Sequence, residues 1–157
     1  MVSELTRTED IATVGVRMAV KIYLAGKMGG IPHLEAKRWR DEIKQRLHWG
    51  GGSKYAVDVI SPTDYFNFSS VKYDNEHEVR MLDLNKVKHS DVIIVRFHPE
   101  GSIGTDMEIA VADELKIPIL GLNEDNIKLH PWQVDVCHRI FTNINDLVEY
   151  IEKFYLS

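Results

Sequence analysis

Residues 92–95 read Val-Ile-Ile-Val, four apolar β-branched positions in a row with no polar alternation. A strand that faces water on one side alternates apolar and polar residues, and one buried on both faces does not. The segment 91–95 therefore predicts an inner strand of a parallel sheet with helices on both sides. The other elements agree. Residues 20–25 (VKIYLA) form a short β-rich run that ends at Gly26, and 55–60 form a second strand stopped by Ser61-Pro62. Residues 117–122 and 139–142 add a fourth and a fifth. Helical periodicity separates them: 33–48 with Leu34, Trp39, Ile43 and Leu47, 76–88 with Val79, Leu82 and Val87, then 105–115 and 143–154. Strand–helix alternation of this kind gives an α/β domain with right-handed crossovers.

The chain of 157 residues suits one domain, expected over 18–157 behind a polar tail at 1–17. Met18 directly precedes the first strand and is either an alternative start or a buried side chain. A single cysteine, Cys137, rules out an internal disulfide and fits a reducing, cytoplasmic setting. The formal net charge of −5 argues against a nucleic-acid polymer as partner, because phosphate backbones need a basic face. No apolar run approaches the length of a membrane span. The seven histidines fall in no metal-binding spacing, with His33, His77, His89 and His98 expected at the surface, so no metal and no cofactor are expected.

In open α/β sheets ligands bind beyond the carboxyl ends of the strands. Three loops lie there: 26–32, 61–74 and 96–105. The first, Gly26-Lys27-Met28-Gly29-Gly30, has glycines and one cation to meet a phosphate or a sugar hydroxyl, but lacks the P-loop ending and the dinucleotide fingerprint. The second is long for a compact domain and offers Asp64 as a candidate substrate-binding residue. The third reads Gly101-Ser102-Ile103-Gly104-Thr105-Asp106-Met107-Glu108 and opens the helix predicted from Thr105. Free N–H groups at that helix start face the same space. Glu108, placed in the first turn, is suited to attack an anomeric carbon or to stabilise a cationic sugar. On spacing alone Thr105-x-x-Glu108 reads better as a capping box. By the same standard Asp83, between Leu82 and Leu84, reads as a solvated helix charge. Asp91 reads as an end-of-strand acceptor, Tyr23 as a core aromatic and Trp132 as a packed anchor or a stacking surface.

The ordered set KIYLAG (21–26), ISPTDYF (60–66), a helix carrying Asp83, SDVIIV (90–95) and SIGTDMEIAVA (102–112) resembles the nucleoside 2-deoxyribosyltransferase family, with nucleotide N-glycosidases also close. The resemblance spans about residues 20–122. It implies a flavodoxin-like, Rossmann-like three-layer sandwich around a five-stranded parallel sheet. It implies Glu108 as the nucleophile of a covalent glycosyl intermediate, Tyr23 as the group that orients it and Asp83 as the proton donor to the leaving base. Gly26 and the loop behind it would border the sugar. The substrates would be a nucleoside or nucleotide and a free nucleobase. The site would be completed by a neighbouring subunit of a homo-oligomer, with Asn123 or Asn126 reaching across. Three positions depart from the pattern. Family transferases often have an acidic residue near 102, whereas related hydrolases have a serine against a 5′-phosphate, as Ser102 stands here. Those hydrolases carry an arginine in the first loop, where this chain has Gly29, and Ala110 replaces a common family glycine. Deoxyribosyl transfer to a second base is thus one expectation, hydrolysis of a nucleoside 5′-monophosphate another, and a silent nucleotide-binding module a third.

Overall fold

The computed structural model describes residues 19–49, 56–66 and 75–157. The expected tail, Met18, Tyr55, the glycines at 50–52 and most of the long loop (67–74) lie outside the described residues. The chain runs β1 (Ala19–Gly26), α1 (His33–Trp49), β2 (Ala56–Ile60), one 3-10 turn (Pro62–Asp64), α2 (Glu76–Lys88) and β3 (Val92–Arg96). It continues through α3 (Ile103–Glu114), β4 (Ile119–Leu122), α4 (Pro131–Val136), β5 (Arg139–Phe141) and α5 (Ile144–Phe154). Every strand pair is parallel, and the order across the sheet is β2-β1-β3-β4-β5. The chain steps outward from β1 to β2, then crosses back over β1 to β3. The carboxyl ends of β1 and β3 therefore flank the point where the winding reverses, and connections diverge there to leave a crevice.

Strand alternation divides the core. Ile22, Leu24, Val92 and Ile94 point to one face, where Trp39, Ile43 and Leu47 of α1 and Leu147, Val148 and Ile151 of α5 cover them. Tyr23, Ala25, Ile93 and Val95 point to the other, against Val87 of α2 and Ile109 and Ala112 of α3. The result is the expected three-layer sandwich. Each fully buried aliphatic side chain contributes about 1.5–3 kcal/mol of transfer free energy. Asp91 accepts a hydrogen bond from the Lys21 N–H at 2.8 Å and ties the start of β3 to β1, as its position suggested.

Four local readings change. In α1, Leu34 is exposed, and the inward stripe is Ala36, Trp39, Ile43 and Leu47, with Arg40 on the same side. In α2, Val87 is buried as expected, but Leu82 is exposed and Leu84 is buried instead, which turns Asp83 inward. The third helix starts at Ile103 rather than Thr105, because Ser102 is extended and takes the cap, accepting from the Thr105 N–H. The short helix α4 went unforeseen: six residues carry too little periodicity to register. His130 caps it in a capping box of its own, closed by Gln133.

Gly26 is fixed by packing. A methyl group built on its Cα would lie 2.7 Å from Cζ2 of Trp39, a ring itself held in the core. Substitution Gly26→Ala is expected to lower unfolding stability by about 1–3 kcal/mol, as overpacking does. Urea titration checks this, and an unchanged midpoint would contradict it.

Candidate active site

A cleft of about 950 Å³ opens at the winding reversal, walled by the loop after β1, α2 and the start of α3. Its floor is set by the parity of β1. Tyr23 lies on the α2/α3 face of the sheet and is wholly buried, so packing is one of its roles, as expected. Its ring also carries a hydroxyl that donates to Oε2 of Glu108. Glu108 is brought there by the inward stripe of α3, made of Thr105, Glu108, Ile109 and Ala112. With Ser102 as cap, Glu108 is the sixth helical residue and stands in the second turn, past the end of the helix that a capping carboxylate must reach. The expected capping box is replaced by Ser102 and Thr105, whose hydroxyl donates to Ser102 Oγ at 2.9 Å.

Asp83 lines the same cleft from α2. It is half-buried and accepts a long hydrogen bond, 3.4 Å, from the Tyr65 hydroxyl, so the solvated-charge reading gives way. Burial raises the Asp83 carboxyl to about 6, against the pull of Tyr65, Arg40 and Lys86. Burial raises Glu108 further, to about 8; the Tyr23 hydrogen bond and Arg40 oppose this, while the charge of Asp83 adds to it. Burial, then the neighbouring carboxylates, hold both Tyr23 and Tyr65 in the phenol form. The cleft therefore holds two interacting carboxylates that titrate in two steps, and a single shared proton prevails between about 6 and about 8.

The glycine loops border this floor. Gly26, Lys27 and Gly29 line the cleft from one side, and Ser102, Gly104 and Thr105 from the other. Gly30 lies just beyond Gly29, with a positive φ of 80° that glycine adopts at no cost. Lys27 is half-buried with no ion-pair partner among the described residues. Asp64 stands apart. It pairs with Lys44 at 2.8 Å and borders a separate polar groove, so the structure does not bring it to the cleft. Asn123 is buried and closes its own turn by bonding both backbone groups of Ile127. Asn126 is exposed in a left-handed conformation at φ 52°. His98 is largely buried and pairs with Glu35 at 3.0 Å, contrary to a surface position. Trp132 is 78% exposed, so it anchors no core. Cys137 is pushed by burial to about 12 and is no nucleophile.

Sequence reasoning missed Tyr65 and Arg40. Arg40 is wholly buried and stacks 4.6 Å from the Trp39 ring centroid. The available signal was a charge standing four residues after Ala36, on the apolar stripe. Among the described residues no group of three His, Cys, Asp or Glu side chains is placed to hold a metal ion. Among them too, no helix is long and apolar enough to cross a membrane.

The strand order and the cleft define a flavodoxin-like α/β protein with a carboxylate-floored site at its winding reversal. No family model matches the sequence, and no curated protein does. Solved structures share the fold. A conserved protein from Enterococcus faecalis V583 superposes with a TM-score of 0.69 at 20% identity, over 86% of this chain and 98% of that one. The 2-deoxyribosyltransferase of Bacillus psychrosaccharolyticus gives 0.67 at 20% identity, over 83% and 92%. The CMP N-glycosidase BcmB of Clostridium botulinum gives 0.54 at 16% identity, over 85% and 99%. The chain thus has the fold of both enzyme types that its motifs resemble.

Glu108 also couples the site to stability. Its carboxyl sits above the ordinary 4.5, so between about 4.5 and about 8 the folded state keeps a proton that the unfolded chain has lost. Stability therefore falls as pH rises through that window. Glu108→Gln removes the titration. Its melting temperature relative to the parent protein is expected to climb from pH 5 to pH 8, by the equivalent of about 3 kcal/mol. A difference that stays constant with pH would contradict the assignment.

Proposed function

We propose that this protein is an enzyme of N-glycosidic bonds that takes the sugar of a nucleoside onto Glu108 and passes it to a second base. One observation carries the reading: a buried carboxylate held by a tyrosine hydroxyl, beside a second carboxylate, at the floor of an open cleft. In the first step an Oε atom of ionised Glu108 bonds to the anomeric carbon. The carbon–nitrogen bond breaks, its electron pair stays on the base, and Asp83 supplies a proton to that base. In the second step a nitrogen of the incoming base attacks the same carbon, the ester breaks, and Asp83 recovers the proton. Tyr23 holds the carboxylate in its attacking position and stays protonated throughout. One proton serves the pair, so the reactive form is the singly protonated one, with the proton on Asp83 as the bond breaks.

A second reading is favoured by the other wall. Ser102 and Gly104 at the start of α3, and Lys27, which has no ion-pair partner among the described residues, line the same cleft and suit a 5′-phosphate. In that case water replaces the second base and the substrate is a (deoxy)nucleoside 5′-monophosphate. Base exchange between a deoxynucleoside and a free base supports transfer, whereas base release confined to the monophosphate supports hydrolysis. Binding without turnover of either would leave a silent nucleotide-binding module. We also read the exposed Ile103 and Met107 at the cleft rim as the seat of a second copy of the chain, which makes a homo-oligomer the working unit. Light scattering of the full chain tests that, with a monomer as the contrary result.

With the substrate that is turned over, the dependence of kcat/KM on pH is expected to be bell-shaped, with its maximum between about 6 and about 8. Glu108→Gln should lose at least about 1,000-fold in kcat, Asp83→Asn about 100-fold or more and Tyr23→Phe about 10- to 100-fold. Full activity of Glu108→Gln would refute the nucleophile.

A further inference from the structure

Arg40 has an uncommon setting for a charge. Its side chain is wholly buried on α1, beneath the end of β1. Its guanidinium donates to three backbone carbonyls: Nε to Leu24 at 3.3 Å, Nη1 to Ala36 at 2.6 Å and Nη2 to Gly26 at 2.9 Å. Among the described residues it meets no carboxylate within ion-pairing distance. A buried cation with only neutral partners is costly, several kcal/mol in the interior of a typical protein. Such a charge persists where a compensating field surrounds it. Arg40 borders the same cleft as Asp83 and Glu108, and these two carry the negative charge that faces it.

We propose that Arg40 is a positioning residue: the fixed counter-charge that allows the cleft to keep one carboxylate ionised beside another. The inference deepens the glycosidic reading and rests on it for its purpose, although its physical content concerns the carboxylates alone. The groups facing that pair come from each surrounding element. Tyr23 of β1, Arg40 of α1, Tyr65 after the 3-10 turn and Lys86 of α2 act on the pair, and Lys27, Glu76, His77, Arg80, Glu100 and Asp106 also line the cleft. Of the cations that act on the pair, Lys86 counts for Asp83 alone, whereas Arg40 acts on both. Losing its charge therefore moves both carboxyls in the same direction, upward. Burial lowers Arg40 itself only to about 10, so it stays charged across the range in which the pair titrates.

The test uses the full chain without substrate. Carboxyl carbons of Asp and Glu are followed by carbon-13 NMR against pH and assigned with Asp83→Asn and Glu108→Gln. In Arg40→Gln both titrations should move up by about one pH unit or more. In Arg40→Lys, which keeps the charge but loses the three-way tether, they should stay within about half a unit, while the melting temperature falls. A purely structural role would lower the melting temperature in both variants and leave both titrations in place, which overturns the proposal. If Arg40→Gln does not fold, Arg40→Met, which keeps much of the apolar stem without the charge, takes its place: titrations moved up by about one pH unit or more support the counter-charge, and unmoved titrations contradict it. Because no substrate enters the measurement, a shifted titration without turnover of any nucleoside would refute the glycosidic reading and keep this one.

Discussion

A phenol hydroxyl donating to a carboxylate, the phenol wholly buried and the carboxylate nearly so, is the contact on which the rest of this molecule turns. Removing a glutamate from solvent is unfavourable, and the structure offsets it with the Tyr23 hydroxyl and the charge of Arg40. The contact exists because three independent features coincide. Strand parity sends Tyr23 to the α2/α3 face while Ile22 and Leu24 face the opposite layer. Crossing from β2 back to β3 places α3 over the end of β1. Capping by Ser102 sets the phase of α3 so that position 108 falls on its inward stripe. A helix started at Thr105 with Glu108 as its cap partner would have spent that carboxylate on its own backbone.

The same burial that makes Glu108 costly makes it chemically useful. Two carboxyls within one cleft repel each other's ionisation, so between about 6 and about 8 they hold one proton between them. A reaction that needs one ionised carboxylate and one protonated carboxylic acid finds both in a single protonation state. Burial raises Glu108 further than Asp83, whereas the proposed chemistry needs Glu108 ionised and Asp83 protonated. A cationic field at Glu108 opposes that rise and favours its ionised form. Arg40 is built into that field from beneath, bound to the carbonyls that end β1. Stability and function draw on the same groups in opposite senses, as at many active sites.

Much of the fold was legible because it rests on patterns that survive in one dimension. The unbroken apolar run at 92–95 announced an inner parallel strand, and the alternation of strands and helices announced the layers. What could not be read was phase. Leu82, Asp83 and Leu84 are consecutive, and periodicity alone does not say which of them faces inward; in the fold Leu84 is buried, Leu82 is exposed and Asp83 is half-buried at the cleft. Ser102 and Thr105 are both good caps, and only the extended backbone at Ser102 decides between them. Tyr23 was legible as a core residue, but its hydroxyl partner lies 85 positions away and was suggested by resemblance alone. Asp64 looked accessible to a ligand in its loop, yet Lys44 lies close enough to hold it elsewhere. Arg40 was overlooked because charges on helices are usually solvated, and three carbonyl partners are invisible before folding.

The most direct measurement of the central claim is a search for the sugar on Glu108 itself. A substrate that the protein turns over is presented as its 2-fluoro analogue, which slows loss of the sugar from a carboxylate ester. The reaction is stopped in acid, and the protein is digested and mapped by mass spectrometry. We predict a gain of one glycosyl unit on the peptide that contains Glu108, absent in Glu108→Gln. An adduct on another residue, or turnover of the analogue with no adduct at any time, would contradict the role given to Glu108.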